Sequence, residues 1–374
     1  MSRLRFPSVA VRALVLTQLA LSGCARPWQD ENGSLPFTST DPVTDFGEAS
    51  QALYATVTYI DTVILIAVAA VYFYVIWRFR HDGTNRKPEQ VHGNTPLEIG
   101  WTLAPVVIVI GMLVPTVRTV FEIGDAAPKN ALEIRVIGKR WWWALEYVKS
   151  GVVTANELHL PAGRPVSLIL ESDSVIHAFW TPRLGGKRDA VPGRQNRIWF
   201  TVTDPVLAGA PVTFRGECAE YCGEAHALMR HEVVVHEGNE FDAWLTAMQT
   251  PVVVPADPAV LAGQEKFTSV GCAGCHAITG NDQAKGIRGP DLTRFGARAK
   301  LGASTELNTH DMLVKWILDP NAIKPGTTAE ANPSRGPDGA NDGMNIPGDD
   351  PKIPGTQVSP EDAAAIATYL HALK

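Results

Sequence analysis

The chain has 374 residues, a formal net charge of −6 at pH 7 and five cysteines. That length allows two or three domains, and a mildly acidic balance with no long basic run leaves nucleic acid out as a partner. Cys24, Cys218, Cys222, Cys272 and Cys275 each fall inside a short motif, which excludes a disulfide-stapled scaffold and points to metal and cofactor chemistry.

At the N-terminus Arg3, Arg5 and Arg12 accompany the apolar run ALVLTQLAL, and LSGC follows at 21–24. A basic start, a short apolar core and a small-residue site describe a secretory signal over 1–23. LSGC resembles a bacterial lipobox, implying cleavage before Cys24 and its lipidation; an ordinary or uncleaved signal is the alternative. Residues 24–50 read as an exported segment. Between 51 and 120, TVILIAVAAVYFYVIW (62–77) and IGWTLAPVVIVIGMLVPTV (99–117) carry no charge. A span needs about 20 residues, so the two predict a transmembrane hairpin embedded in membrane lipid. The connecting loop carries Arg78, Arg80, Arg86 and Lys87, which places it in the cytoplasm and everything after residue 120 outside.

From 121 to 250 the texture is short strands rich in Val, Ile, Phe, Trp and Thr, among them PVSLILES, RIWFTVT, PVTFRGEC and HEVVVHE. Gly and Pro clusters separate them, as in a small sandwich or barrel. FDAWLTAMQ reads as a closing helix. Residues 251–258, within PVVVPADPAV, read as a Pro-rich linker with little core potential. From 259 to 374 the texture is helical: VLAGQEKFTS, DMLVKWIL, and SPEDAAAIATYLHAL with Ser359 as N-cap. A Gly/Pro/Asp-rich loop separates the last two.

The richest stretch is GECAEYCGEAHALMRH at 216–231, between two late strands. Cys218, Cys222, His226 and Met229 lie within twelve residues. Zinc makes poor use of methionine, whereas Cys, His and a thioether together suit copper in electron transfer. Two thiolates can bridge two copper ions, and the second imidazole must come from elsewhere. His177, at the end of a predicted strand in ESDSVIHAFW, is the best candidate. A Cys218–Cys222 disulfide remains the alternative.

The segments PLEIGW, GKRWWWALEY, VIHAFWTPRLGGKRDAVPGR and RGECAEYCGEAHALM occur in the order seen in subunit II of haem–copper cytochrome c oxidases, which the chain resembles over about 45–245. The resemblance implies a cupredoxin-like fold and a binuclear copper A centre held by His177, Cys218, Cys222, His226, Met229 and the Glu220 carbonyl. It implies that the Glu220 side chain also reaches a magnesium ion shared with subunit I. The family often has Asp three residues before the first ligand histidine; here Ser174 stands there, with Asp173 one step earlier, which puts the local hydrogen bonding in doubt. Of Trp141, Trp142 and Trp143, alternation along a strand turns at least one out of the core. The resemblance implies that Trp141 is the surface point where electrons enter from cytochrome c, with Trp143 packed near the centre. It also implies that Glu98 opens a proton path into subunit I, against the simpler reading of a solvated helix end.

CAGCH at 272–276 is the attachment signature for c-type haem: Cys272 and Cys275 would bond the vinyl groups and His276 the iron. A thioredoxin-like pair would need a βαβ setting, and zinc would need further ligands nearby. Met344, in GMNIPG, is the expected second axial ligand; Met312 reads as core. Residues 259–374 resemble a class I cytochrome c, an all-α domain in which the Pro290 carbonyl would hold the His276 ring proton.

Together these features predict a multidomain membrane protein: hairpin, cupredoxin-like β-sandwich and cytochrome c domain, in a bacterial inner membrane with both domains on the periplasmic side. Its expected function is electron entry to an oxidase, from cytochrome c through haem c and copper A to haem in subunit I, with oxygen reduction and proton pumping there. The other oxidase subunits are expected partners. A copper A-containing nitric oxide reductase and a membrane-anchored shuttle are the alternatives; a quinol oxidase subunit would lack the metal ligands.

Overall fold

The computed structural model describes residues 37–81, 83, 90, 92–203, 211–327 and 358–374. Cys24, Met344, Arg86 and Lys87 lie outside them. The chain first forms α1 (Asp45–Arg78) and α2 (Thr95–Gly124), each started by a side-chain cap: Thr44 accepts from the Gly47 N–H and Asn94 from the Leu97 N–H. Both are long and apolar enough to cross a membrane. At about 1.5 Å per residue, α1 is roughly 50 Å long, well beyond a ~30 Å hydrocarbon core.

The surplus lies at the start of α1. Val43 and Phe46 are buried in the core of the β domain. The Val43 N–H donates to the Arg183 carbonyl at 2.9 Å, and the Asp45 carboxylate accepts from the Thr201 N–H at 2.8 Å. The helix starts at Asp45, where the Thr44 cap and Phe46 burial set it, ahead of residue 51 and of the uncharged run.

The β domain holds two five-stranded sheets. The first has β1 (Leu132–Lys139), β2 (Trp142–Tyr147), β3 (Val152–Ala155), β5 (Pro165–Ser172) and β8 (Asn196–Thr201) in the order β3-β2-β1-β5-β8. The second has β4 (Glu157–Pro161), β6 (His177–Trp180), β7 (Arg188–Ala190), β9 (Val212–Cys218) and β10 (Arg230–His236) in the order β4-β10-β9-β6-β7. β1 shows why they pack: Leu132, Ile134 and Val136 are buried while the intervening residues are half-buried, the period-two pattern of a sheet with one dry face. Trp143, Tyr147, Phe200 and Phe214 fill the interior.

Helix α3 (Gly238–Gln249) closes the domain, as expected. Its Trp244 stacks on His159 at 4.1 Å between centroids, and His159 Nδ1 lies 2.7 Å from His236 Nε2. In 251–258, read from the sequence as a Pro-rich linker, Val252 and Val254 pack against the C-terminal core, and α4 (Pro258–Ser269) starts at its end on the Asp257 cap. The linker supplies apolar side chains to a core that its Pro content did not advertise. α5 (His310–Leu318), α6 (Pro320–Ile323) and α7 (Pro360–Ala372) complete the domain, α4 crossing α7 where Phe267 meets Tyr369. Met312 packs against this core, as expected.

Burial, and secondly His159, push His236 down to about 4. The folded state therefore takes up this proton less readily than the unfolded chain, for which about 6.5 is usual. The sign follows: stability is full above about 6.5 and is lost as pH falls through that value toward 4, by about 3 kcal/mol at most. His236→Phe, seated among Phe241, Trp244 and His159, is expected to flatten that part of the Tm-versus-pH curve of the detergent-solubilised protein.

Candidate metal and haem sites

Strand β9 ends at Cys218 and β10 begins at Arg230, so the loop 219–229 leaves and re-enters one sheet. It is pinned at its base by the Cys218 N–H donating to the Met229 carbonyl at 2.9 Å, and at its flank by the Ala219 N–H donating to the Ala178 carbonyl at 2.9 Å. The second pin ties it to β6, whose first residue is His177. The histidine stands at the head of a strand rather than at the end of one.

This loop and strand bring together all six donors picked out in the sequence. Cys218 Sγ lies 3.7 Å from Cys222 Sγ, 3.9 Å from His177 Nδ1 and 3.2 Å from the Glu220 carbonyl oxygen. Cys222 Sγ lies 3.6 Å from His226 Nδ1 and 3.8 Å from Met229 Sδ. The donor atoms of His177, Cys218 and Cys222 fall within 4.8 Å of one another, all buried. Sulfurs 3.7 Å apart are well beyond the ~2.05 Å of a disulfide, and both cysteines are free. The Glu220 side chain is exposed.

The electrostatics suit a cation. The hydrogen bond with the Cys222 thiol holds Cys218 well below the usual thiol range, and the same hydrogen bond, with burial, pushes Cys222 up. Two adjacent thiolates in a dry pocket would repel each other, and a soft cation held by both sulfurs would relieve that repulsion. Two sulfurs, two imidazoles and a thioether form a donor set that fits copper and is wrong for magnesium or calcium.

The surroundings fix the His177 imidazole. Trp143, fully buried, meets His177 edge-on at 5.7 Å and Phe179 at 5.1 Å. Across the sheet interior, Gly138 leaves the space in which the imidazole lies: a Cβ there would come 2.6 Å from His177 Cδ2. Ser174 Oγ reaches within 3.4 Å of His177 Nε2, while Asp173 pairs with Lys139. The doubt about this strand end resolves in that way: the carboxylate is taken by a lysine, and the hydroxyl faces the imidazole. Gly138 is the residue that sequence reasoning missed. Its signal is a lone glycine inside an alternating strand, which marks a close approach.

Trp142 is the half-buried member of the triplet, lying under Lys139 Nζ at 5.6 Å, and Trp143 faces inward, as alternation requires. The expectation of a surface Trp141 is corrected. It is 5% exposed, because residues of the C-terminal domain cover it. Its indole N–H donates to the Cys222 carbonyl at 2.8 Å, so it touches the thiol loop directly. Glu98 is not brought to this cluster. It sits in the first turn of α2, where its carboxylate accepts from the Asn94 N–H at 3.2 Å and completes the cap.

In the C-terminal domain, α4 ends at Ser269 and a tight turn at Cys272–Gly274 presents the attachment motif. The His276 N–H donates to the Cys272 carbonyl at 3.1 Å. His276 Nδ1 donates to the Pro290 carbonyl at 2.8 Å, which leaves the Nε2 lone pair available to a metal. Burial lowers the His276 pKa and so keeps the ring neutral, the form that ligates. Two thiols and an oriented imidazole on one turn fit a covalently bound haem.

Comparison with known proteins matches residues 40–119 to the transmembrane domain of cytochrome c oxidase subunit II, 149–237 to its periplasmic domain, and 260–374 to cytochrome c. Cytochrome c oxidase subunit 2 of Alkalihalophilus pseudofirmus is 32% identical over 365 residues, covering 95% of this chain and 94% of that protein. The Bacillus subtilis protein of the same name is 33% identical, covering 84% and 89%. Among solved structures, the periplasmic domain of subunit II of cytochrome oxidase of Bradyrhizobium japonicum is 30% identical, with a TM-score of 0.30, over 33% of this chain and 97% of that one.

Gly138→Ala is expected to displace His177 without removing any donor. The outcome to look for is a roughly ten-fold or larger loss of copper affinity, the lower end of what disturbing the surroundings of a ligand costs, with both thiols still titratable by a thiol reagent after metal removal.

Proposed function

The chain belongs to the cytochrome c oxidase subunit II family, and on that premise we propose which of its residues carry the electron. The subunit is the membrane-anchored electron-entry part of a haem–copper oxidase and works in association with subunit I. In the reading put forward here, His177, Cys218, Cys222, His226, Met229 and the Glu220 carbonyl hold copper A. Cys272, Cys275 and His276 hold haem c, with Met344 as the second axial ligand. The Glu220 side chain, exposed beside the loop, reaches a magnesium ion shared with subunit I. Domains divide near 45–124, 131–250 and 252–374, with 1–23 as signal and Cys24 as the lipidated residue.

The two groups supply one-electron acceptors; what the chain supplies is arrangement. The observation that carries the reading is the convergence of six soft or neutral donors on a sulfur pair 3.7 Å apart. A loop pinned at both ends holds the donors nearly still whichever oxidation state is present, and a relay with little reorganisation passes electrons quickly. Trp141 links this loop to the surface on which the C-terminal domain sits, so it is the proposed entry residue. Electrons then go to haem in subunit I, where oxygen is reduced and protons are pumped. Arg78 and Arg80 on the loop side of α1 favour the cytoplasm for that loop, which supports the proposal that both globular domains lie on the periplasmic side. Glu98 is proposed to face a proton path, although its cap role alone accounts for its position.

Metal analysis of the purified oxidase is expected to give about two coppers and about one c-type haem per copy of this subunit beyond those of subunit I. The EPR spectrum should carry the hyperfine pattern of an electron shared by two coppers. Cys222→Ser should abolish that pattern and keep the haem c band; a pattern that survived the substitution would overturn the assignment.

A further inference from the structure

We propose that Lys324 is a positioning residue for electron entry: it fastens the C-terminal domain onto the copper domain at Trp141. The inference rests on the electron route proposed above and adds the device that holds its two halves in register.

Lys324 follows α6 and is 3% exposed. Its Nζ donates to the Trp141 carbonyl at 2.5 Å and lies 3.4 Å from the Gly302 carbonyl of its own domain. Two residues on, Gly326 lies over the same indole so closely that a Cβ there would come 2.8 Å from Trp141 Cζ3. Trp141 is thus bonded on both sides. Its carbonyl is held by the C-terminal domain, and its indole N–H by the Cys222 carbonyl of the thiol loop.

The contact is one of a set with a single polarity. Lys300 Nζ pairs with Glu232 Oε1 at 2.9 Å, a carboxylate 7% exposed. Arg294 Nε donates to the Ala247 carbonyl at 3.0 Å. Each of these cations belongs to the C-terminal domain, and each acceptor across the seam to the copper domain, whose closing helix α3 carries Ala247.

A buried amine is costly unless hydrogen-bonded, so a lysine at the centre of this face contributes only when docked in one place. Its acceptor is a main-chain carbonyl, fixed relative to the indole that touches the copper loop. Lys300 and Arg294 grip the rim; Lys324 sets where the face lands. The step so positioned is passage of one electron from ferrous haem c, left ferric, to the oxidised copper pair, left reduced by one electron. No bond forms or breaks, and no proton moves.

The test uses the complete detergent-solubilised oxidase carrying Lys324→Met, which keeps the apolar stem. Two readouts are taken: the rate at which an electron placed on haem c by flash photoreduction reaches copper, and hydrogen exchange of the amides around Trp141. Loss of a hydrogen bond from a buried amine is expected to slow transfer about tenfold and raise exchange about tenfold. Haem c and copper spectra should stay as in the wild type. Unchanged transfer and unchanged exchange in K324M overturn the proposal. Should K324M fail to assemble, the double variant Lys300→Met, Arg294→Gln loosens the same face from its rim; faster exchange at Trp141 supports the docked face, and no change overturns it. An absent haem-to-copper step in the wild type would sink the electron route, while exchange at Trp141 would still report on the docking.

Discussion

Two buried sulfurs kept 3.7 Å apart without bonding are the constraint on which the rest of the molecule depends. Closer, they would close a disulfide; farther, they could not both reach one soft cation. A protein must hold that distance in a pocket where two thiolates repel. The loop does so by being short and closed, with the Cys218 N–H bonded to the Met229 carbonyl across its mouth and Ala219 tied to β6. The rest of the domain serves this closure: one sheet to carry β9 and β10, a Trp143–Phe179 wall behind His177, and Gly138 to make room for its imidazole.

The parts legible in the sequence are those whose chemistry is local. The donors of 218–229 and the motif of 272–276 lie on single loops, so their spacing already states their geometry, and the His276–Pro290 bond spans only fourteen residues. His177 lies 41 residues from Cys218, and spacing alone offered it only as the best of several histidines. The strands and the C-terminal helices followed from periodicity. What escaped were relations that no window of sequence contains. Lys324 and Trp141 are 183 residues apart, so nothing in the WWW triplet indicates that its first member is covered. The start of α1 escaped for a similar reason: the polar residues before the apolar run look like loop until Phe46 is seen inside the β domain. Val252 and Val254 were hidden by the prolines around them.

Polar and apolar forces divide the labour between the domains. Within each domain, aromatic and aliphatic packing does the holding, and surface ion pairs such as Arg135 with Glu146 and Glu171 add little, being about a third exposed. Between the domains the contacts are mostly charged or polar, with Lys300, Arg294 and Lys324 on one side. An interface of that kind is specific in register yet weaker per unit area than a core. The packed linker keeps the two faces near each other, so a modest interface suffices.

The long first helix carries a mechanical consequence. Because α1 runs unbroken from the β-domain core to the far side of its apolar stretch, the β domain stands on a stiff strut rather than a flexible stalk. Tilt in the bilayer is then transmitted to it as a lever arm transmits rotation. A membrane too thin for the apolar stretch would lean the helix and swing the sulfur loop sideways over whatever lies beneath, so bilayer thickness becomes a mechanical variable for a reaction whose chemistry involves no lipid at all.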